Sequence, residues 1–563
     1  MRQSETGTGF FQDRGLAISF RFVSLPDLDL NRLDQWLGQA LEIHVDPEHQ
    51  ASKASEDAQR NRATAYARRC LTLAGKLLQM GNVPVFDCPQ MRSLSPVDGR
   101  SGEWEAKADF SKVDHVPHAC YGLALQFALE LCRWAAGAAI THENRNNLYA
   151  ALEQKFKVPV KRMVPSGKST IPVLRVAHQL GIPFIHLGSG IYQLGWGSKA
   201  RRMDRSTTEL DSAMGSKLAR NKVAAANLLR AAGLPAPVHY VAENFELALS
   251  GARSLGWPVV VKPTDRERGE GVAVDIADEA MLKTAFEAAR KLSNSGQVII
   301  ERQVQGVCHR LFIADGRLLY AVKRLPMCVT GDGRHTVAEL VDIEVQLQLA
   351  KPPWVRSAIR PVDELAIATI RAAGWDISSV PPAGALVPLR RIESTQWGGV
   401  DEEMTGRVHP ENVSMALRAA ELFGLHVAGI DIITPEIEEP WHQNGAIINE
   451  VNFAPLLGGG EISRRHIPVF LRDFLDGDGR IPMEGFQGGE SGLQMALNRQ
   501  QELIERGMRC YFTTSTRTLD AKGKERILPF QNLDQRTAAL LLSPEVDAIV
   551  VLRDADPAAP ETA

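Results

Sequence analysis

Two short apolar segments that carry acidic and amide side chains constrain the fold of this chain most strongly. The first reads Gly-Ile-Asp-Ile-Ile around Asp431, and the second reads Ile-Ile-Asn-Glu-Val-Asn and ends in Glu450, Val451 and Asn452. Apolar runs of this length are typical of strands, and alternation along a strand places Glu450 and Asn452 on one face. Mg²⁺ takes oxygen ligands from one or two carboxylates together with substrate phosphates. The pattern therefore predicts a magnesium site at the ends of two strands, although alone it is more often a strand pair with solvent-facing polar residues.

Composition and charge narrow the class of protein. The 563 residues, 44% of them hydrophobic and 23% charged, indicate a globular chain of about three or four domains. The chain has 64 Lys and Arg against 67 Asp and Glu, and its net charge is -3. This balance gives no overall positive potential that would attract nucleic acid or an anionic membrane. Seven cysteines with no CxxC pair indicate a reducing compartment. With no signal peptide and no apolar run of about 20 residues, we expect a cytoplasmic protein.

The sequence predicts three domains of mixed α/β and α+β type. An N-terminal α+β domain at 1–163 contains helical patterns at 62–78 and 122–141, joined by a polar connection at 93–109, and no motif that indicates chemistry. The central domain is predicted at 164–476, with a nucleotide lid at about 221–300, and the C-terminal domain at 477–563. In the central domain, helical and strand patterns alternate in compact units, and Asp-Gly at 315–316 predicts a hairpin turn.

One lysine and one glycine-bearing loop of the central domain suggest anion binding. Lys262 ends an apolar strand of the sequence Pro-Val-Val-Val-Lys-Pro, where an ammonium group needs an anionic partner. The loop that follows contains Gly269 and Gly271, whose backbone N–H groups could approach a phosphate closely, although a plain turn is the commoner explanation.

Three further cationic residues of the central domain precede the predicted magnesium ligands in the sequence. Lys222 lies near the start of a helix, where a solvated surface lysine is the ordinary explanation, and Arg310 and Arg324 lie one on each strand of the predicted hairpin. Arginine is suited to forked binding of phosphate or carboxylate. Each of these residues has a simple structural explanation alone, whereas their order before the predicted magnesium ligands resembles an ATP-grasp domain.

The resemblance extends to longer blocks and is specific to the ATP-grasp part of cyanophycin synthetases, over about residues 160–475. The blocks that carry it are Tyr-Gln-Leu-Gly-Trp-Gly-Ser-Lys-Ala-Arg-Arg at 192–202, Pro-Val-Val-Val-Lys-Pro at 258–263, Gly-Asp-Gly-Arg-His-Thr-Val-Ala-Glu-Leu at 331–340, Val-His-Pro-Glu-Asn at 408–412 and Val-Ala-Gly-Ile-Asp-Ile at 427–432. The family implies an ATP-grasp fold in which ATP phosphorylates a carboxylate and an amine then attacks the acyl-phosphate, giving an amide, ADP and phosphate.

The resemblance also assigns roles to residues. It implies ATP and two Mg²⁺ ions as cofactors, with Asp431, Glu450 and Asn452 as metal ligands, Lys222 and Lys262 on the phosphates under the loop of Gly269 and Gly271, and Glu301, Gln303 and Val304 as the adenine hinge. It further implies that Arg310 meets the substrate, that Arg324 stabilises the acyl-phosphate, and that Ser169 and Ser394 contact the substrate.

Two departures from the family pattern limit these implications. The family has Ser-Thr-Gly-Gly-Thr in its substrate region, whereas this chain reads Ser-Thr-Gln-Trp-Gly-Gly-Val-Asp from Ser394, so we expect a reshaped substrate pocket. In the C-terminal domain the family has a phosphate loop, in which Lys and Thr contact phosphates and Mg²⁺. Here Gly492 and Leu493 replace them, so residues 477–563 are predicted to be a degenerate, truncated Mur-ligase-like domain without nucleotide chemistry, serving as structure or as a dimer contact.

We expect an ATP-dependent carboxylate-amine ligase with one ATP site, acting on amino acids, dipeptides or short peptides. It would either polymerise ready-made dipeptides or make a small peptide, and the sequence does not rank the two. We also expect a homo-oligomer, either a dimer or a tetramer. The alternative is an inactive ATP-grasp partner subunit or ATP-binding module, which the retained charged residues oppose. A ligase acting on a protein tail would need a broad basic groove, and the sequence contains no such run.

Overall fold

A computed structural model gives the fold of residues 15–24, 28–44, 57–100, 102–113, 115–164, 167–266, 269–351, 356, 362–390 and 399–553. Contacts divide the chain into two compact units, one formed by Met1–Arg205 with Leu457–Ala563 and the other by Ser206–Leu456. The predicted domain limits after residues 163 and 476 stay predictions. Among the described residues, none of the helices combines the length and the apolar character needed to cross a bilayer.

A three-stranded antiparallel sheet forms the start of the first unit. Its order is Gly15–Val23, Glu103–Ser111, Gln90–Pro96. The prediction of a polar connection at 93–109 is therefore wrong, because that segment forms most of two strands. In the central strand Trp104 and Phe110 are buried and polar residues alternate with them, but the two buried positions between them are alanines, which weakens the apolar signal.

Helices cover this sheet and lead into a second small sheet. The helices are Leu30–Leu41, Asp57–Met80, His118–Gly137, His142–Ala151, the π-helical turn Leu152–Lys157, Val158–Met163 and Thr170–Gln179. The strands Phe184–Gly188, Ile191–Leu194 and Arg201–Asp204 then pair antiparallel in chain order, with a 3-10 turn at Gly197–Lys199.

The C-terminal part of the first unit is an α/β layer. A helix, Glu461–Phe474, packs against Thr170–Gln179. The sheet that follows has the order Met483–Gln487, Ala548–Arg553, Cys510–Thr513, Thr518–Leu519, in which the first three strands are parallel. Its helices are Glu490–Glu505 and Leu533–Leu541. The α/β character agrees with the sequence, while the relationship to a Mur ligase stays a prediction.

Trp196 connects the second small sheet to this α/β layer. Its side chain is 2% exposed and belongs to one apolar core with residues of the C-terminal strands and helices, among them Ile481, Leu541 and Ile549. Its backbone N–H donates to the carbonyl oxygen of Gly479 at 2.8 Å. The C-terminal α/β layer therefore packs against the second small sheet within the first unit.

The second unit begins with a strand, Thr207–Thr208, and two helices, Ala213–Arg220 and Lys222–Ala231. An antiparallel sheet follows, with the order Ala273–Ile276, Val259–Pro263, Val298–Arg302, His239–Ala242. Helices Phe245–Leu255 and Glu279–Leu292 pack on one face of this sheet around Val259, Val261 and Phe286. We call this sheet and its two helices the lid, because they lie within the segment at about 221–300 for which a nucleotide lid is predicted.

A five-stranded antiparallel sheet, which we call the central sheet, forms the rest of the second unit. Its order is Val400–Glu403, Arg317–Leu325, Val307–Ala314, Val427–Thr434, Ile447–Phe453. The predicted hairpin turns at Asp315 as expected. The helix Pro410–Leu422 packs on the apolar face of the sheet, around Leu311, Ile430 and Val451, and the short helix Trp441–Asn444 precedes the last strand.

A small insertion interrupts the central sheet between two neighbouring strands. It consists of the strand pair Cys328–Thr330 and Leu386–Pro388 and the helices Val337–Ala350 and Glu364–Ala372, which share a core of their own. The chain leaves the sheet after Leu325 and returns to it at Val400, beside the point of departure. The described part of the insertion is therefore a small subdomain with its own apolar core.

Candidate active site

The face of the central sheet opposite the apolar core carries the predicted catalytic charges. Residues directly opposite each other in an antiparallel pair share a face. Arg310 lies opposite Asp431, and Asp431 lies opposite Glu450 on the next strand. One face therefore presents a row of charged residues on three adjacent strands, and we call it the charged face.

Asp431 is the most deeply buried charged residue in this row. Its carboxylate, 5% exposed, accepts two hydrogen bonds from Arg310, Nε to Oδ1 and Nη2 to Oδ2, each at 2.7 Å. Asn452 donates to Oδ2 at 3.2 Å, and Arg324 Nη1 lies 3.8 Å from the same oxygen. Burial opposes ionisation of Asp431, but the charge and hydrogen bonds of Arg310 outweigh it and hold the pKa of Asp431 below its ordinary value.

Glu450, the second predicted metal ligand, also has a cationic partner. Lys222 Nζ donates to Glu450 Oε1 at 3.1 Å. The lysine is the first residue of the helix Lys222–Ala231, whose N-terminus is capped by Asn221 through a bond of 3.0 Å from the N–H of Ala224. Lys222 is therefore held at the charged face and is not a solvated surface lysine.

The predicted position of the metal ligands at strand ends needs correction. Asp431 lies in the middle of Val427–Thr434, and Glu450 lies in the middle of Ile447–Phe453. The charges are tolerated there because Arg310 and Lys222 pair with the two carboxylates. As predicted, Val451 is buried, whereas Glu450 and Asn452 are only partly so.

Lys262 and Glu301 form a second charged site, in the lid. Nζ of Lys262 lies 2.6 Å from Oε2 of Glu301, and the side chains are 12% and 8% exposed. The anionic partner that the sequence required for Lys262 is thus Glu301 on the neighbouring strand. The carboxylate of Glu301, a predicted adenine-hinge residue, is engaged by this lysine.

The remaining predicted nucleotide residues lie around the lid strands. Gln303 donates to Asp275 Oδ1 at 2.6 Å and accepts from its N–H at 2.7 Å, so its side chain fastens one lid strand. Val304 follows in the connection to the central sheet. Gly269 and Gly271 lie in the loop between two lid strands with φ of 77° and 74°, conformations that favour glycine.

The two predicted substrate serines contribute nothing further to this geometry. Ser169 belongs to the first unit, where its buried hydroxyl accepts a hydrogen bond from the N–H of Leu457 at 3.0 Å. Ser394 lies outside the described residues. Their substrate contacts stay predictions.

Asp401 is a residue of the charged face that the sequence did not single out. It lies opposite Arg324 on the edge strand Val400–Glu403. Desolvation of its carboxyl raises the pKa of Asp401, against the lowering effect of Arg324 and Arg310. The acidic run Asp-Glu-Glu at 401–403 was visible in the sequence, but its pairing with Arg324 depends on the return of the chain from the insertion.

The donor set of the charged face suits Mg²⁺. Asp431, Glu450 and Asn452 offer hard oxygen atoms on two adjacent strands. Among the residues that the structure describes, no cluster of three or more His, Cys, Asp or Glu side chains is placed to hold a metal by itself. Two carboxylates and an amide fit a hard divalent ion that completes its shell with phosphate oxygens and water.

Comparison with known proteins identifies the nucleotide-binding part of the chain. Residues 217–310 match the family model described as the ATP-binding domain of the carbamoyl-phosphate synthase L chain. That range contains both lysines, the glycine loop, the hinge residues and Arg310.

Curated relatives match the same fold more specifically. The cyanophycin synthetase of Nostoc sp. (strain PCC 7120) is 35% identical over 294 residues, which are 51% of this chain and 32% of that protein. The matched half of the chain is therefore similar to cyanophycin synthetases. The cyanophycin synthetase of Synechocystis sp. is 30% identical over 292 residues, or 51% of this chain and 33% of its own. This chain therefore spans about a third of the length of these relatives, and the predicted ATP-grasp fold is confirmed.

A second group of relatives shares the ATP-grasp region. The glutathione biosynthesis bifunctional protein of Mannheimia succiniciproducens is 29% identical over 262 residues, 44% of this chain and 34% of that protein. The ATP-grasp region of this cyanophycin synthetase-like chain is thus similar to enzymes with different names, and the substrate does not follow from the match.

Proposed function

We propose that this chain is an ATP-dependent carboxylate-amine ligase that makes an amide bond through an acyl-phosphate. The row of charges on the charged face, in which the two predicted metal-binding carboxylates, Asp431 and Glu450, are each paired with a cation, carries this proposal. The substrates would be amino acids, dipeptides or short peptides, joined either into a polymer or into a small peptide.

In the first step, a substrate carboxylate oxygen attacks the γ-phosphorus of ATP. A new P–O bond forms, the bond to the β-phosphate oxygen breaks, and ADP leaves with the electron pair. Negative charge concentrates on the transferring phosphoryl group, so fixed cations around it lower the barrier. Arg310 and Arg324 on the central sheet and Lys222 beside it are suited to supply this charge, with Lys262 of the lid on the nucleotide phosphates.

Mg²⁺ bound to ATP would neutralise phosphate charge and align the phosphates, held by Asp431, Glu450 and Asn452. In this structure the two carboxylates already bind Arg310 and Lys222. These cations would leave the carboxylates and contact phosphate or substrate oxygens when the metal-nucleotide complex binds. The same residues thus keep the site electrically balanced in both states.

In the second step, the amine nitrogen attacks the acyl carbon. A C–N bond forms, the C–O bond to the phosphate breaks, and the ammonium loses one proton to the medium and a second to phosphate. Arg324 would stabilise the phosphate oxygens as this group leaves. The products are an amide, ADP and inorganic phosphate.

A substrate screen tests this function. Purified protein is incubated with ATP, Mg²⁺ and pairs of amino acids or dipeptides, and ADP release is followed together with product mass. The ligase predicts at least one pair that raises ADP release and gives a product lighter than the sum of both by one water. ADP release that no pair raises would favour an ATP-binding module.

A further inference from the structure

The charged face raises a problem for the second substrate of the proposed ligase. An amine enters the site as an ammonium ion, yet the acyl-phosphate is surrounded by Arg310, Arg324, Lys222 and bound Mg²⁺. Like charges repel strongly in a partly desolvated site. A cationic nucleophile therefore needs a carboxylate close to the acyl-phosphate that is not one of the metal ligands.

The five strands of the central sheet contribute four carboxylates to the charged face. Asp431 and Glu450 are the predicted metal ligands and are bound by Arg310 and Lys222. Glu403 lies on the edge strand and accepts a hydrogen bond from the hydroxyl of Thr405 at 3.3 Å. The fourth is Asp401, and it alone lies directly opposite Arg324, the residue proposed to hold the acyl-phosphate oxygens.

We propose that Asp401 receives the ammonium group of the incoming amine and sets the preference for a cationic nucleophile. This inference rests on the proposed ligase function. The residue is accessible to solvent, so a substrate can reach it, while its carboxyl is desolvated enough to gain from a bound cation. Its position opposite Arg324 brings the ammonium beside the acyl carbon.

The insertion precedes the edge strand of Asp401 in the chain. The chain runs from Arg390 back to the edge strand that carries Asp401. Arg390 is 3% exposed and is bound by both oxygens of Asp363, at 3.1 and 2.8 Å, at the start of the helix Glu364–Ala372. Arg390 therefore fixes the end of the insertion to the helix Glu364–Ala372.

Hydroxylamine provides a direct test, because it is uncharged at neutral pH and traps acyl-phosphates as hydroxamates without an ammonium site. The carboxylate that gives the fastest ADP release in the amino acid panel is kept constant, and either its amino acid amine partner or hydroxylamine is the nucleophile. For Asp401→Asn we expect use of the ammonium substrate to fall at least about tenfold more than use of hydroxylamine, through a raised KM for the amine. The KM for ATP should change little.

Two further variants separate recognition from folding. Glu402→Gln alters the next side chain, which lies on the other face opposite Lys323, and should leave the ratio of the two nucleophiles as in the wild type. Asp401→Glu keeps the charge and should recover most of the ammonium preference, even if the Asn variant is less stable. An equal loss with both nucleophiles in Asp401→Asn, or an unchanged amine KM, would overturn the inference. Failure of the wild type to form any hydroxamate would instead contradict the proposed ligase.

Discussion

Arg310 and Asp431 form a forked ion pair between adjacent strands, with both bonds at 2.7 Å. Because Arg310 contacts both carboxylate oxygens, a metal ion must replace it at Asp431. The phosphates of ATP offer Arg310 another anion. Metal and nucleotide should therefore help each other to bind.

The binding of Mg²⁺ should depend on the bound nucleotide. We expect the affinity for Mg²⁺ to rise at least about tenfold when ADP is present, a coupling of about 1.4 kcal/mol, because ADP gives the displaced cations new partners. Titration calorimetry with Mg²⁺, with and without ADP, measures the coupling. Arg310→Lys, which cannot make the forked bond, should weaken the dependence. Equal Mg²⁺ affinity in both titrations would contradict this interpretation.

Replacing Glu450 by Gln tests the metal assignment. The loss of one preorganised charge at the transferring phosphoryl group should lower kcat at least about a hundredfold. Steady-state ADP release with the best substrate pair gives the rate, and Glu421→Gln, exposed on the helix Pro410–Leu422, is the matched control. A Glu450→Gln protein that turns over at the wild-type rate would remove Glu450 from the metal site.

Variants of the lid residues Lys262 and Glu301 should show separate effects on protein stability and on nucleotide binding. Lys262→Met leaves the carboxylate of Glu301, 8% exposed, without its partner and should destabilise the protein by about 3 kcal/mol. The double variant with Glu301→Gln should regain most of that stability, since a buried ion pair can be replaced at little cost. Both variants should bind ATP at least about tenfold more weakly, because the phosphate cation is lost. Thermal unfolding and ATP titration measure the two effects, and full recovery of ATP affinity in the double variant would exclude Lys262 from the phosphate site.

The first turn of the helix Glu490–Glu505, in the C-terminal α/β layer, is predicted to serve packing and not chemistry. A Cβ atom at Gly492 would lie 1.7 Å from the carbonyl oxygen of Gln487, so Gly492→Ala should lower the melting temperature. Leu493→Ala, at a position 39% exposed, is the control and should leave both stability and ADP release close to wild type. A large loss of turnover in Leu493→Ala with an unchanged melting temperature would show that the start of this helix takes part in the reaction.

Acid should destabilise the protein through Asp431. A carboxyl whose folded pKa lies below its unfolded value, about 3.9 for Asp, stabilises the fold above that pH, and the contribution is lost as pH falls through the folded pKa. Without Mg²⁺ or nucleotide, we expect the melting temperature to fall below about pH 4, and to fall less steeply in Asp431→Asn. Parallel slopes for the two proteins would mean that Asp431 does not have the depressed pKa.

Much of the second unit could be predicted from the sequence, because its elements have strong local patterns. The strands around Lys262 and Asp431 are runs of valine and isoleucine. The lid helix Phe245–Leu255 ends at Gly256, whose φ of 81° is a backbone conformation that favours glycine. The central strand of the first sheet was missed because Ala106 and Ala108 fill two of its buried positions.

The pairing of charges could not be predicted from the sequence in the same way. Spacing placed Arg310 and Asp431 on strands, but only the register puts them opposite each other. Asp401 is separated from Arg324 by the whole insertion, so no local pattern reveals that the two residues are neighbours in the sheet. Such contacts depend on tertiary structure, which sequence periodicity does not contain.

The most direct test of the proposed chemistry follows an oxygen atom. With a substrate carboxylate labelled with heavy oxygen, attack on the γ-phosphorus transfers one labelled oxygen to inorganic phosphate when the amide forms. Mass spectrometry of the phosphate released with ADP should therefore find one heavy oxygen in each molecule. Unlabelled phosphate, or label recovered in AMP, would contradict an acyl-phosphate intermediate.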